Sequence, residues 1–181
     1  IYFLLKDFGK IKALALGNYR LSFGQGLVIS NNFRLGKTTS LTTMETRNTG
    51  IFKHSSTDEF NYFRGVAGTV QIPYTNISAF YSHRSLDGIT TDESITSIHK
   101  TGLHRTQTEA DRRGVMNLQL GGSNITFRKD RFKAGITGIY YFFNDSYEPQ
   151  IKEYSKYNLR GNNFFNLGID YRYRWNRLLF F

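Results

Sequence analysis

Apolar and polar positions alternate along much of this chain, most strictly over residues 165–175. Phe165, Leu167, Ile169, Tyr171, Tyr173 and Trp175 share one parity, and Asn166, Gly168, Asp170, Arg172 and Arg174 share the other. Period two marks a strand with one apolar and one polar face. Eleven residues is long for a soluble strand, which usually has about five or six. It suits a membrane-crossing strand, which needs about 9–11. The aromatic residues at the end of the run fit an interfacial girdle.

Other segments repeat the pattern. In the run from Arg131 to Phe143, Phe132, Ala134, Ile136, Gly138, Tyr140 and Phe142 share one face. In the preceding run, Val115 to Arg128, Met116, Leu118 and Leu120 lie on one parity, and Ile125 and Phe127 on the other. This switch at Gly121-Gly122 predicts a β-bulge. Phe60–Ile72 and Ile77–Arg84 predict a hairpin in which Phe80 breaks the alternation. Residues between Lys10 and Leu35 must supply an odd number of strands, either one long or three short.

Short turns are expected near Asp7–Lys10, Pro73–Asn76, Lys129–Asp130 and Asn176–Arg177. Long polar connections are expected near Lys37–Glu59, Ser85–Arg113 and Asp145–Asn162. Short and long alternate, as in outer-membrane barrels with short periplasmic turns and long external loops. The predicted fold is all-β: an antiparallel transmembrane β-barrel segment of about eight strands, covering residues 1–181 as one unit. The chain opens on Ile1 and stops at Leu178-Leu179-Phe180-Phe181 within strand-like sequence. A fragment of a larger barrel, incomplete at both ends, is therefore expected.

Composition narrows the class. The chain has 16 Phe, 12 Tyr and only 2 Pro, a mixture that favours strands. No apolar run approaches the roughly 18–20 residues of a membrane helix. There is no Cys, hence no disulfide or thiolate chemistry. The net charge of +10 fits nucleic acid, an anionic membrane surface or an anion-passing lumen, and does not choose among them.

Catalytic and metal motifs are wanting. The stretch from Asn31 to Thr38 has the outline of a phosphate-binding loop, but Asn stands where its first Gly must be. A strand end running into a loop is the better reading. His54, His83, His99 and His104 show no zinc spacing, and no metal, cofactor or enzymatic activity is expected. Lys152, Lys156 and Arg160 interleave with Tyr154 and Tyr157, like a base-stacking surface. An outer rim facing lipopolysaccharide accounts for the same residues and also for the flanking strands.

By parity, Phe165, Leu167, Ile169, Tyr171, Tyr173 and Trp175 are expected to face lipid. Asp170, Arg172 and Arg174, with Lys133 and Gln119, are expected to line a lumen. The predicted function is a porin-like channel for small solutes in the bacterial outer membrane. One alternative is a structural part of an envelope complex that meets other proteins through long loops. The other is a soluble basic β-domain for nucleic acid or glycan.

Three stretches carry a family resemblance. They are residues 17–28, which contain Gly24-Gln25-Gly26; residues 55–67, which contain Phe63-Arg64-Gly65; and residues 101–109, which contain His104-Arg105-Thr106. In order and spacing they resemble Bacteroidota envelope proteins that join a helix-hairpin-helix segment to a C-terminal β-barrel. The resemblance implies an outer-membrane location and a longer parent chain, and it implies no biochemical activity. The helix-hairpin-helix part has no counterpart here, so no nucleic-acid partner is expected. Arg64 shares the parity of Val66 and must lie at a rim or a bulge.

Overall fold

The computed structural model describes residues 1–31, 49–55, 60–91, 94–99, 105–149, 153, 157 and 159–181. Among these residues, ten strands and one short helix follow in the order β1 (Tyr2–Phe8), β2 (Ile11–Ser22), β3 (Gly50–Lys53), β4 (Phe63–Ile72), β5 (Thr75–Thr91), β6 (Ser94–His99), α1 (Gln107–Asp111), β7 (Met116–Lys129), β8 (Phe132–Tyr147), β9 (Gly161–Trp175) and β10 (Leu178–Phe180). Eight of the strands form a meander that curls into a small barrel-like sheet. Its neighbours are β1-β2-β4-β5-β7-β8-β9-β10, each pair antiparallel. Among the described residues, β1 and β10 are the two ends of this path.

The connections sort by length. Phe8 pairs with Ile11, Ile72 with Thr75, Lys129 with Phe132 and Trp175 with Leu178, so each of these hairpins closes over two residues. All four turns lie at one end of the sheet. The β7–β8 turn is Asp130-Arg131, one residue later than the sequence suggests, and Asp130 takes a positive φ of 50°. The opposite end carries the long connections. The described residues between β5 and β7 include a strand and a short helix. β5 runs on to Thr91, and β6 folds back on it and touches β8 in parallel. Helix α1 is closed by a Thr106–Glu109 capping box. β2 is one long strand, the first of the two arrangements expected between Lys10 and Leu35, of which residues 32–35 lie outside the described residues.

The expected bulge at Gly121-Gly122 is absent. β7 keeps one register against both neighbours from Leu118 to Phe127. What changes is the character of its two faces. Near the long loops, Met116 and Leu120 point inward and are buried; toward the short turns, the inward residues are Asn124 and Thr126, and the outward ones are Ile125 and Phe127. The parity switch therefore marks a boundary in the environment along a straight strand.

Two adjacent rows make the inversion explicit. Val70, Ile77, Ile125, Ile136 and Ile169 pair in turn across five strands on the outward face. All are exposed, from 40% for Ile77 to 70% for Ile169. One residue along each strand, Thr69, Ser78, Asn124, Thr137 and Gly168 pair in turn on the inward face. The four with side chains are buried, at 7% exposure or less. Thr69 and Ser78 hydroxyls bond at 2.8 Å, Asn124 Nδ2 donates to Thr137 Oγ1 at 2.8 Å, and Thr126 Oγ1 donates to Asn124 Oδ1 at 2.8 Å. The buried polar groups satisfy one another, as burial requires.

Candidate functional site

The interior is the natural place for function in a barrel, and this one is crossed by its own chain. After β2 the backbone turns back on itself: Gly26 N–H donates to Phe23 O at 2.9 Å, and Asn31 N–H donates to Leu21 O at 2.8 Å. Gly24 (φ 56°) and Gly26 (φ 79°) supply the left-handed conformations of this bend. The Gly24-Gln25-Gly26 motif is thus a tight turn folded against the far wall. A methyl group on Gly24 would overlap the Asp170 carboxylate, and one on Gly168 would overlap Val28.

Beside that turn, Phe23 stacks on Phe80 with ring centroids 5.7 Å apart. Tyr19, Leu21, Ile29, Ile51, Ala67, Leu120 and Ile139 complete a dry cluster around them. Tyr19 is fully buried and donates its hydroxyl proton to Tyr81 O at 2.7 Å. Phe80 breaks the alternation because it is the inward plug. Its ring occupies the space that Gly122 leaves open, where a Cβ would sit 2.6 Å from Phe80 Cζ. Gly122 is thus the seat for the Phe80 ring.

Toward the turns the interior opens into a polar cavity of about 270 Å³. Phe23, Ile51 and Ala13 are among its apolar lining residues. Thr69, Ser78, Asn76, Asn124 and Thr126 line the walls, and Lys6, Lys12 and Arg128 the mouth, with Asp7 bonded to Lys12 at 2.6 Å.

Of the expected lumen residues, Lys133, Asp170, Arg172 and Arg174 share the inward parity near the turns. Gln119 does not. It pairs with His83 and Phe142 on the outward face, is exposed, and accepts the Tyr81 hydroxyl at 3.1 Å. The error has the same origin as the expected bulge, since the polar residue above the boundary is the outward one. Phe165, Leu167, Ile169, Tyr171, Tyr173 and Trp175 all lie outward and exposed, from 43% to 70%.

On the loop side the outward apolar band gives way to a mostly polar row. His83, Gln119, Phe142 and Asn163 form one paired row, and the ring just below it carries Tyr81 and Tyr140. Both tyrosines aim their hydroxyls into the polar row, Tyr81 at Gln119 and Tyr140 at Asn163 Oδ1 at 2.5 Å. Arg64 lies at this rim, one of the two places its parity allows: its Nε donates to Asn18 Oδ1 at 3.1 Å, and Gly65 beside it takes a φ of 154°. Arg84 packs 3.8 Å over the Tyr62 ring and donates to Phe60 O and Tyr62 O, each at 2.6 Å, fastening the loop before β4. Arg105 and Thr106 serve as the approach and cap of α1. His104, Lys152, Tyr154, Lys156 and most of the stretch from Asn31 to Thr38 lie outside the described residues.

Among the described residues, no helix is long and apolar enough to cross a membrane, which says nothing of strands. Comparison with protein-family models, with curated proteins and with solved structures gives no match.

Proposed function

We propose that this chain is a structural β-barrel element of the bacterial outer membrane, with its outward belt in lipid and its interior closed. The observation that carries the reading is the pair of adjacent rows: five exposed β-branched aliphatics outside, five small or polar residues inside. In water that arrangement is inverted, because an apolar patch of this extent has no partner. In a bilayer it is the ordinary arrangement of a barrel wall. From Phe165 to Trp175, at about 3.3 Å per residue and a tilt of about 40°, the belt is about 25 Å tall, the height expected of such a band. The tyrosines at its loop-side edge and Tyr171, Tyr173 and Trp175 at the other supply the two girdles.

The closed interior favours a structural role over a porin-like channel. The Gly24 turn and the Phe23–Phe80 stack occupy the space that a solute would cross. The partners are membrane lipid, lipopolysaccharide at the loop rim, and other envelope proteins through the long connections. No nucleic acid, cofactor or catalysis enters this reading. It agrees with the resemblance to Bacteroidota envelope barrels. The test is membrane fractionation with a heat-modifiability gel, followed by planar-bilayer recording. Detergent-dependent extraction, a heat-dependent mobility shift and silent bilayers are expected. Stepwise conductance would restore the channel, and recovery without detergent would favour the soluble basic domain.

A further inference from the structure

The hairpin end of the sheet is chemically one-sided. Residues 6–12, 128–133 and 170–177 hold ten of the chain's 24 Lys and Arg but only three of its 14 Asp and Glu, and the tip between β4 and β5 has no charge. The rest of the chain is nearly balanced, with fourteen against eleven, so this end carries seven of the ten net positive charges. Tips that need only be soluble carry both signs. An excess of one sign calls for a partner of the other.

The sheet does not absorb the excess. Lys133 and Arg172 turn inward and have interaction partners, and Lys12 is bonded to Asp7. Lys10, Lys129, Arg131 and Arg177 are exposed, and no carboxylate among the described residues pairs with them.

Position decides what the partner is. Lys129 pairs with Phe132, Phe132 with Tyr173 and Tyr173 with Phe180, so a cation stands at the end of an outward aromatic row. Its ammonium lies 5.8 Å from the centroid of the Tyr74 ring on the next tip. Phe8 precedes Lys10, Phe127 precedes Lys129 and Trp175 precedes Arg177, each by two residues. All three aromatics are exposed. At about 3.3 Å per residue and a tilt of about 40°, each cation lies roughly 5 Å beyond its aromatic. A ring at the edge of the hydrocarbon thus puts a long cationic side chain at the level of the lipid phosphates. An acidic protein would meet the same charges, but it would need no aromatic beside each of them.

We propose that the short-turn end of the barrel binds anionic glycerophospholipid, whose headgroup phosphates meet Lys10, Lys129, Arg131 and Arg177. The inference rests on the membrane reading above and adds the lipid class and the end that selects it. An anionic leaflet attracts each nearby cation, and the attraction fades within a Debye length.

The test unfolds the full chain in denaturant from vesicles of phosphatidylcholine alone and of an equimolar mixture with phosphatidylglycerol. At low salt the mixture is expected to raise the folding equilibrium constant by about tenfold or more, and high salt to erase the gain. Lys129→Gln, Arg131→Gln and Arg177→Gln in one chain are expected to remove most of the gain, with folding into phosphatidylcholine retained. Lys129→Arg, Arg131→Lys and Arg177→Lys together are expected to keep it. So are Arg105→Gln, Arg113→Gln and Arg160→Gln together, which neutralise as many charges at the loop end. A gain that survives the first triple variant, or that is lost equally in the loop-end one, would overturn the proposal alone. Equal stability of the natural chain in both vesicles would also overturn it, and would leave the basic end to an acidic protein. Failure to fold into either vesicle would overturn the membrane reading and this inference together.

Discussion

Gly24 and Asp170, from opposite ends of the chain, meet inside the barrel so closely that no side chain fits between them. Gly135 holds the other side of the same carboxylate, since a Cβ there would lie 2.7 Å from Asp170 Oδ1. Gly24→Ala is therefore expected to destabilise the fold twice over, through the left-handed φ and through the overlap, by about 2–4 kcal/mol together. Asp170→Ala in the same chain removes the overlap and should recover part of the loss. Denaturant unfolding of the two single variants and the double variant measures the coupling, and strict additivity would refute the contact.

Phe80 and Gly122 form the second such fit. Phe80→Ala should cost about 3–5 kcal/mol by leaving a cavity in the plug. Gly122→Val should destabilise through two overlaps, with the Phe80 ring and with the Gly138 backbone oxygen, and a Phe80→Ala background should relieve only the first. The unfolding midpoints of the four proteins check both statements.

How legible this was in the sequence varies from strand to strand. β9 was readable outright, because its outward face stays apolar from Phe165 to Trp175 and its inward face stays polar or small. β7 is ambiguous at Gly121-Gly122, because a parity switch looks the same whether the strand bulges or the surroundings change. That one ambiguity also sent Gln119 to the wrong face and made Phe80 an exception. For Arg64 parity leaves two positions, a rim or a bulge, and the residue lies at the rim, level with His83. The plug was not readable: the approach of Gly24 to Asp170 joins distant segments, and a Gly-Gln-Gly stretch announces a turn without saying what the turn touches. The hairpin of β6 and the cap of α1 were hidden in a stretch whose polarity reads as loop.

Depth along the outward face supplies a third expectation. Ile169→Arg, in the middle of the belt, should destabilise the barrel in bilayers by about 2–4 kcal/mol, as a mid-membrane cation does. Gln119→Arg, in the polar row above the tyrosines, should cost at most about 1 kcal/mol, the interfacial value. Equilibrium unfolding from lipid vesicles distinguishes the two, and equal costs would argue against a membrane boundary between them.

Tyr19 tests the loop-side interior. Tyr19→Phe keeps the ring in the plug and deletes the hydrogen bond to Tyr81 O. A loss of about 0.5–1.5 kcal/mol is expected, with folding and membrane partition unchanged. Thermal unfolding measures it, and an unchanged midpoint would mean that the bond contributes nothing net.

The most direct test of the central claim uses tryptophan fluorescence, because Trp175 is the only tryptophan. The natural chain and a Trp175→Phe, Ile169→Trp variant would be reconstituted in vesicles whose acyl chains carry bromine at mid-depth. If the outward belt faces lipid, both are quenched, the tryptophan at position 169 more strongly than Trp175 at the girdle. Absence of bromine quenching at both positions, with ready quenching by aqueous iodide, would contradict the membrane-embedded barrel.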